Sequence, residues 1–260
     1  EHWTIYLPQN AHKMGWLRKK LTRRVINKAD AVHTVSENLK QAMERLGFTN
    51  SHYAVIPNVA DTLTFYPEYP SILASKTRFL HVAAFNEEAK NLSGLLRSIK
   101  KLSESRTDFE LRIIGFGPAE KQLKKLAQEL GLLNTFVFFE GKKETPEVAE
   151  YMRRSDVFVL FSNYENLPCV LIEALASGLP VIATKVGGVA EMIGKKQGIL
   201  VEPRDEVALL KALQHMQDHH QDFPKAALRE YAEARFSYQA VGKAFARLYE
   251  EVLHKTVRKL

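Results

Sequence analysis

The chain has 260 residues, 45% of them hydrophobic and 26% charged, a composition that builds one large or two small cores. A net charge of +7 admits nucleic acid, an anionic membrane surface or a phosphorylated ligand as partner. Zinc-ligand spacing, RNA-binding aromatic motifs and a basic zipper are missing, so nucleic acid is disfavoured.

The nine histidines form neither His-Glu-x-x-His nor a Cys/His cluster, so no bound metal is expected. No apolar run approaches the ~18 residues of a membrane span, and no signal-peptide pattern opens the sequence. The single cysteine, Cys169, excludes an internal disulfide and fits a reducing cytoplasm. It reads as a small buried hydrophobe in preference to a catalytic thiol.

In chain order, residues 1–8 are apolar and aromatic and read as the tail of something larger. Residues 12–27 carry a helical stripe of Met14, Leu17, Leu21 and Val25, opposed by Lys13, Arg18, Lys19, Lys20, Arg23 and Arg24. Such a helix can lie on an anionic membrane surface, and a solvated domain-surface helix is the equal alternative. A short strand at 31–35 is followed by a helix at 37–46, started by Ser36 and stopped by Gly47. A strand at 53–56 ends at Pro57-Asn58. Pro67 and Pro70, in a stretch without a clean period, place a domain boundary near 65–69.

Beyond it the alternation is regular. Strands are expected at 79–84, 111–114, 136–139, 157–161, 181–183 and 199–201. Helices fall between them at 92–102, 119–129, 146–153, 168–176 and 189–193. Continuous apolar strands alternating with helices predict an α/β fold, a parallel sheet covered on both faces, doubly wound and Rossmann-like. Residues 205–260 read as helical throughout. The expected units are 1–65, a nucleotide-binding domain at 66–235, and a C-terminal helix at 236–260 packing back on the N-terminal part.

The most informative stretch is 165–178, Glu-Asn-Leu-Pro-Cys-Val-Leu-Ile-Glu-Ala-Leu-Ala-Ser-Gly. Pro168 suits the first turn of a helix and Gly178 its left-handed stop. A helix apolar nearly all round is buried, so Glu173 is a carboxylate that is expensive unless paired. Glu165 lies just ahead of the helix, about two turns away, with free N–H groups between them that can hold an anion. Taken singly, each reads better as an ordinary residue, Glu165 solvated and Glu173 paired with a Lys or Arg. The two together, in this context, favour a site.

Ligands of an open parallel sheet bind at the carboxyl ends of its strands. Lys90, opening a helix after the first strand, could share a phosphate with that helix N-terminus. Gly115 and Gly117 after the second strand allow close backbone approach. Glu140-Gly141-Lys142 after the third could frame a base, and Gly187-Gly188 follow the fifth. The coincidence of these groups at one edge outweighs any one motif.

The stretch 165–178, with Leu179-Pro180-Val181-Ile182-Ala183 after it, resembles the glutamate pair of retaining glycosyltransferases of family 4, which have the GT-B fold. The resemblance runs over about 31–249 and includes Val55 to Asp61, which looks like the segment joining the two GT-B domains. It implies that Glu173 binds the ribose of a nucleotide and Glu165 the donor sugar. By the same likeness the amides of Asn166, Leu167, Pro168 and Cys169 surround sugar and phosphate, as far as each carries one. Lys90 would stabilise the diphosphate, Gly115 and Gly117 would admit the nucleotide, and 139–142, with Glu140 and Gly141, would lie near the base. His2, in Glu-His-Trp, looks like the histidine that reaches the donor sugar from the N-terminal domain.

Two departures stand out. Ala83 and Ala84 occupy the place of the family's Gly-Arg, which leaves the phosphate charge to Lys90, helix N-termini and Lys185 or a group not evident in the sequence. Most of the family's N-terminal domain has no counterpart, so a truncated chain, impaired in catalysis, is expected.

The resemblance implies transfer of a sugar from a nucleotide-diphosphate donor to a carbohydrate or lipid-linked acceptor hydroxyl, with retention and without an essential metal. A front-face route is preferred to a double displacement on Glu165. The alternatives are a sugar-nucleotide epimerase and a non-catalytic nucleotide-sugar-binding module. A dehydrogenase is disfavoured by the incomplete glycine fingerprint.

Overall fold

A computed structural model describes residues 4–68 and 76–257. Two 3-10 turns, Thr4–Tyr6 and Ala11–Lys13, lead into α1 (Trp16–Lys28). Then come β1 (Val32–Thr34), α2 (Glu37–Arg45) and β2 (Tyr53–Val55). Ser36 caps α2, its hydroxyl accepting from the Leu39 amide at 3.1 Å. β1 and β2 pair in parallel, Val32 opposite Tyr53 and Thr34 opposite Val55.

The larger unit opens with β3 (Thr77–Val82), α3 (Glu87–Lys90), α4 (Leu92–Ser103) and β4 (Phe109–Ile114). It continues through α5 (Glu120–Glu129), β5 (Val137–Gly141), α6 (Thr145–Arg153), β6 (Val157–Leu160) and α7 (Cys169–Ala176). β7 (Val181–Thr184), α8 (Val189–Met192), β8 (Gly198–Val201) and α9 (Glu206–His219) complete it. Its six strands are parallel, in the order β5-β4-β3-β6-β7-β8. Counted from the first strand of the sheet, this is the doubly wound 3-2-1-4-5-6 order, whose switch point lies between β3 and β6. The β3–β6 ladder covers only Phe79–Val157 and Leu80–Phe158, so the strands diverge toward their carboxyl ends.

Apolar clusters cover both faces of this sheet. One contains Phe79, Phe109, Leu95 and Leu213, under α4, α5 and α9. The other joins Leu80, Phe158, Leu171 and Leu175 to Leu39, Met43 and Phe48 of the N-terminal part, so one core runs across the expected boundary near 65–69. There the crossing chain is pinned by Arg229, which donates to the carbonyls of Thr62, Phe65 and Ala176. A third cluster packs Val241 and Leu248 against Ile56.

The C-terminal tail is helical as expected, in separate pieces: α10 (Lys225–Phe236) and α11 (Tyr238–Val257) are separated from α9 and from each other. Pro224 supplies no N–H, and Ser237 is extended at ψ 158. α1 does not use its apolar stripe for packing. Leu17, Leu21 and Val25 are 55%, 57% and 69% exposed, Met14 lies ahead of the helix, and Ile26 alone is buried along α1. Finally, Pro168 is the N-cap of α7, not its first helical residue. Among the described residues no helix is long and apolar enough to cross a membrane.

Candidate functional site

The strand divergence at the switch point opens a cleft of about 460 Å³. Its walls come from three strand ends: Val82 to Ala84 after β3, Ile114 to Phe116 after β4, and Glu165 after β6. The start of α7 adds Pro168, Cys169 and Val170, with Glu173 one turn in, and Lys142, Lys143 and Thr145 close the rim before α6. Lys90, Gly115, Glu165, Pro168, Cys169 and Glu173 therefore share one cavity. Both glutamates face the same space, and apolar packing does not fill it.

Lys90 ends α3, a single turn capped by Asn86, whose side chain accepts from the Ala89 amide at 3.2 Å. Asn91 then turns left-handed at φ 46, a conformation that asparagine tolerates better than most residues, and α4 begins. The loop after β6 is tied to α3: the Asn163 amide donates to Ala89 O at 2.7 Å and its side chain to Glu88 O at 2.9 Å. This brings the Lys90 ammonium onto Glu165 Oε1, where the two form an ion pair. The Ser162 hydroxyl donates to the same oxygen at 2.6 Å. Glu165 is only 8% exposed and already neutralised. Among the described residues its other oxygen has no partner.

Glu173 is held differently. α7 is buried along Leu171, Ile172, Ala174, Leu175 and Ala176, and its one carboxylate points into the cleft. Among the described residues no hydrogen bond or ion pair reaches that carboxylate, so the structural-pair alternative is withdrawn. Burial alone pushes its carboxyl up to about 7. Cys169 is exposed at the cleft mouth, not buried as expected. Desolvation by the cleft wall, then the nearby Glu173, push its thiol up, away from the reactive thiolate.

Other expected residues sit elsewhere. Glu140 does not line the cleft and is bound by Arg112 and by the Tyr151 hydroxyl at 2.7 Å. Gly141 uses φ 72 to turn the chain and accepts from the Gly115 amide at 2.9 Å, but does not line the cleft. A Cβ on Gly117 would meet the Phe85 backbone at 2.8 Å, so this glycine serves the packing of two loops. A Cβ on Gly115 would lie 1.9 Å from Ala83 O. Asn166 and Leu167 are buried and turn toward the N-terminal unit. Asn166 accepts from Ser36, and Leu167 O accepts from Asn58. His2 lies outside the described residues.

Lys143, Thr145 and Phe116 were missed, and Lys185, left as a source of charge, does not line the cleft. The Lys142-Lys143 doublet directly after a strand was the usable signal. Lys142 stands 5.8 Å from the Phe116 ring centre and pairs with Glu144 at 3.0 Å. With Lys90 these side chains bring three ammonium groups to the cleft, each paired with a glutamate (Lys90 with Glu165, Lys142 with Glu144, Lys143 with Glu147 at 3.4 Å), beside one unpaired acid. Such a cleft suits a ligand bearing both phosphate and vicinal hydroxyls. Among the described residues no group of three or more His, Cys, Asp or Glu could hold a metal ion.

The family model described as Glycosyl transferases group 1 matches residues 69–234, and one described as Glycosyltransferase Family 4 matches residues 1–62. N-acetyl-alpha-D-glucosaminyl L-malate synthase of Bacillus anthracis is 28% identical over 90% of this chain and 62% of its own length. Glycogen synthase of Mycobacterium tuberculosis (strain H37Rv) is 26% identical over 95% of this chain and 62% of its own length. The chain thus spans less than two thirds of these relatives. Anabaena Alr3699/HepE, solved in complex with UDP, matches 93% of this chain and 69% of its own with a TM-score of 0.82 and 19% identity, a likeness of fold.

Proposed function

The chain belongs to the glycosyl transferases group 1 family and has the GT-B type of fold, and from that premise we propose that its cleft binds a nucleotide-diphosphate sugar. The sugar passes to an acceptor hydroxyl with retention at the anomeric carbon, in polysaccharide or glycolipid biosynthesis. The observation that carries this reading is Glu173, an unpaired carboxylate in the same cavity as the Lys90–Glu165 pair. A half-buried, unpaired acid held at the protein's expense is accounted for where a ligand supplies its hydrogen bonds. A ribose diol supplies two.

In this reading Glu173 accepts from the ribose hydroxyls. Lys90, with Lys142 and Lys143 at the rim, stabilises the diphosphate as it departs, and Glu165 contacts the transferred sugar. The α7 N-terminus adds its own positive end near the phosphates. Positioning and charge stabilisation supply most of the rate. Neither step calls for an essential metal, and turnover that persists in EDTA is the expected result.

The test is titration with UDP, GDP and their sugars, with Glu173→Ala as control. Nucleotide binding that Glu173→Ala leaves unchanged would remove the basis of the assignment.

Peripheral membrane contact belongs to the same proposal. α1 holds Arg18, Lys19, Lys20, Arg23, Arg24 and Lys28 and no acid, and Leu17, Leu21 and Val25 are exposed beside them. That pairing of apolar stripe and basic flank suits the anionic inner face of a cell membrane, from the cytoplasm. Co-sedimentation with anionic vesicles, lost in Leu21→Ser/Val25→Ser, is the check.

A further inference from the structure

The loop that carries Glu165 is held from outside the cleft, by residues that the transfer reading does not use. Glu191, on α8, places its carboxylate across the start of α2. Its two oxygens accept from the amides of Glu37 at 2.8 Å and Asn38 at 2.7 Å. Ser36 takes the Leu39 amide, so the three leading N–H groups of α2 are all satisfied. A carboxylate suits that end of a helix.

The contact continues into the donor loop. The Glu191 amide donates to Gly188 O at 3.1 Å, and the Gly188 amide donates to Asn166 O at 2.7 Å. The Ser36 hydroxyl donates to Asn166 Oδ1 at 3.3 Å, which closes a ring: α2, Glu191, Gly188, Asn166, Ser36 and back to α2. The ring is tight. A Cβ on Gly187 would lie 2.0 Å from Glu165 O, and one on Gly188 would lie 2.7 Å from the Ser36 Cβ. Asn58, from the segment after β2, adds a hydrogen bond of 2.6 Å to Leu167 O.

We infer that Glu191 is a positioning residue, clasping α2 so that the N-terminal unit, through Ser36 and the Gly187-Gly188 turn, sets where Glu165 stands in the cleft. A shift of α2 relative to the sheet pulls on Asn166 and hence on the residue before it. Glu173, mid-helix on α7, lies outside the ring. The clasp therefore governs the sugar end of the site and leaves the nucleotide end alone. Its consequence for transfer rests on the glycosyl-transfer reading; its mechanics do not.

The experiment is amide hydrogen exchange on the full chain, paired with UDP titration and a thermal melt, for Glu191→Ala and Glu191→Gln. Glu191→Ala is expected to speed exchange about tenfold in both the 36–40 and the 164–168 segments. UDP affinity should stay within about twofold, far less than the effect of Glu173→Ala. Glu191→Gln keeps one acceptor oxygen and should give intermediate protection. It carries the same test if Glu191→Ala does not fold.

Faster exchange confined to 36–40 would overturn the inference, since Glu191 would then be a helix cap only. A loss of UDP affinity as large as that of Glu173→Ala would also overturn it, by placing Glu191 in the nucleotide site. Exchange is read without turnover. If the unaltered chain fails to bind UDP, the transferase reading falls while the clasp is still judged.

Discussion

Glu165 and Glu173 stand at opposite ends of the same loop–helix junction, and their surroundings could hardly differ more. Glu165 is buried, salt-bridged to Lys90 and hydrogen-bonded by Ser162. Glu173 lines the same cleft without a partner among the described residues and is pushed up to about 7 by burial. The first acid is held in place by the protein, so its position is a structural given. The second, once ionised, is a cost to the fold that a proton or a ligand offsets. The difference assigns the roles: a preset group at the sugar end and a waiting acceptor at the nucleotide end.

Removing the cation tests the preset end most severely. Lys90→Ala leaves Glu165 charged and enclosed, and stability should fall by about 3 kcal/mol in urea unfolding. A loss below about 1 kcal/mol would mean that Glu165 finds relief elsewhere and that the contrast is overstated. At the waiting end, Glu173→Ala should weaken UDP binding by about 2–3 kcal/mol, the worth of hydrogen bonds to a charged acceptor.

The pH sharpens the contrast. A carboxyl held at about 7 in the folded state, against about 4.3 unfolded, gives stability that is full below pH 4 and lost as pH rises through 7. Glu173→Gln should therefore be more stable than the parent by about 1–2 kcal/mol at pH 8, and no more stable at pH 4. UDP affinity of the parent relative to Glu173→Gln should improve about tenfold from pH 6 to pH 8, as the carboxylate forms. A flat ratio would mean that the ionised form is not what binds.

The smallest effect is expected far from the cleft. Leu21→Ser/Val25→Ser on α1 should change stability by less than about 0.5 kcal/mol per site, because these side chains already face water. A larger loss in a urea series would place a packing partner on that face.

Much of the larger unit could be read from residue order. Apolar runs such as Val157 to Phe161, broken by helix periods, specify a parallel sheet whatever its neighbours are. Pro168 directly precedes α7, and Gly178 follows its last residue by two positions. The site was legible where it depends on strand ends: Lys90, Gly115, Glu165 and Glu173 fall at the cleft because it opens at the carboxyl ends of β3, β4 and β6. Glu140 does not line the cleft, and its partners, Arg112 of β4 and Tyr151 of α6, are invisible in a linear reading. α1 stays open in such a reading for a related reason. A stripe of Leu17, Leu21 and Val25 fits a membrane surface and a domain surface equally, and periodicity carries no information about what opposes it.

By itself, the amino-acid order determined the element types, the buried helix with an acid in it, and the strand ends at which polar groups accumulate. These follow from local periodicity and backbone preference, which neighbouring residues express without help. Tertiary structure alone decided which acid is paired, that Asn166 and Leu167 turn toward Ser36 and Asn58, and that Glu191 reaches α2. Those outcomes depend on groups 75 to 154 positions apart meeting within 3.5 Å, and on the solvent left between them. Distance along the chain says nothing about either.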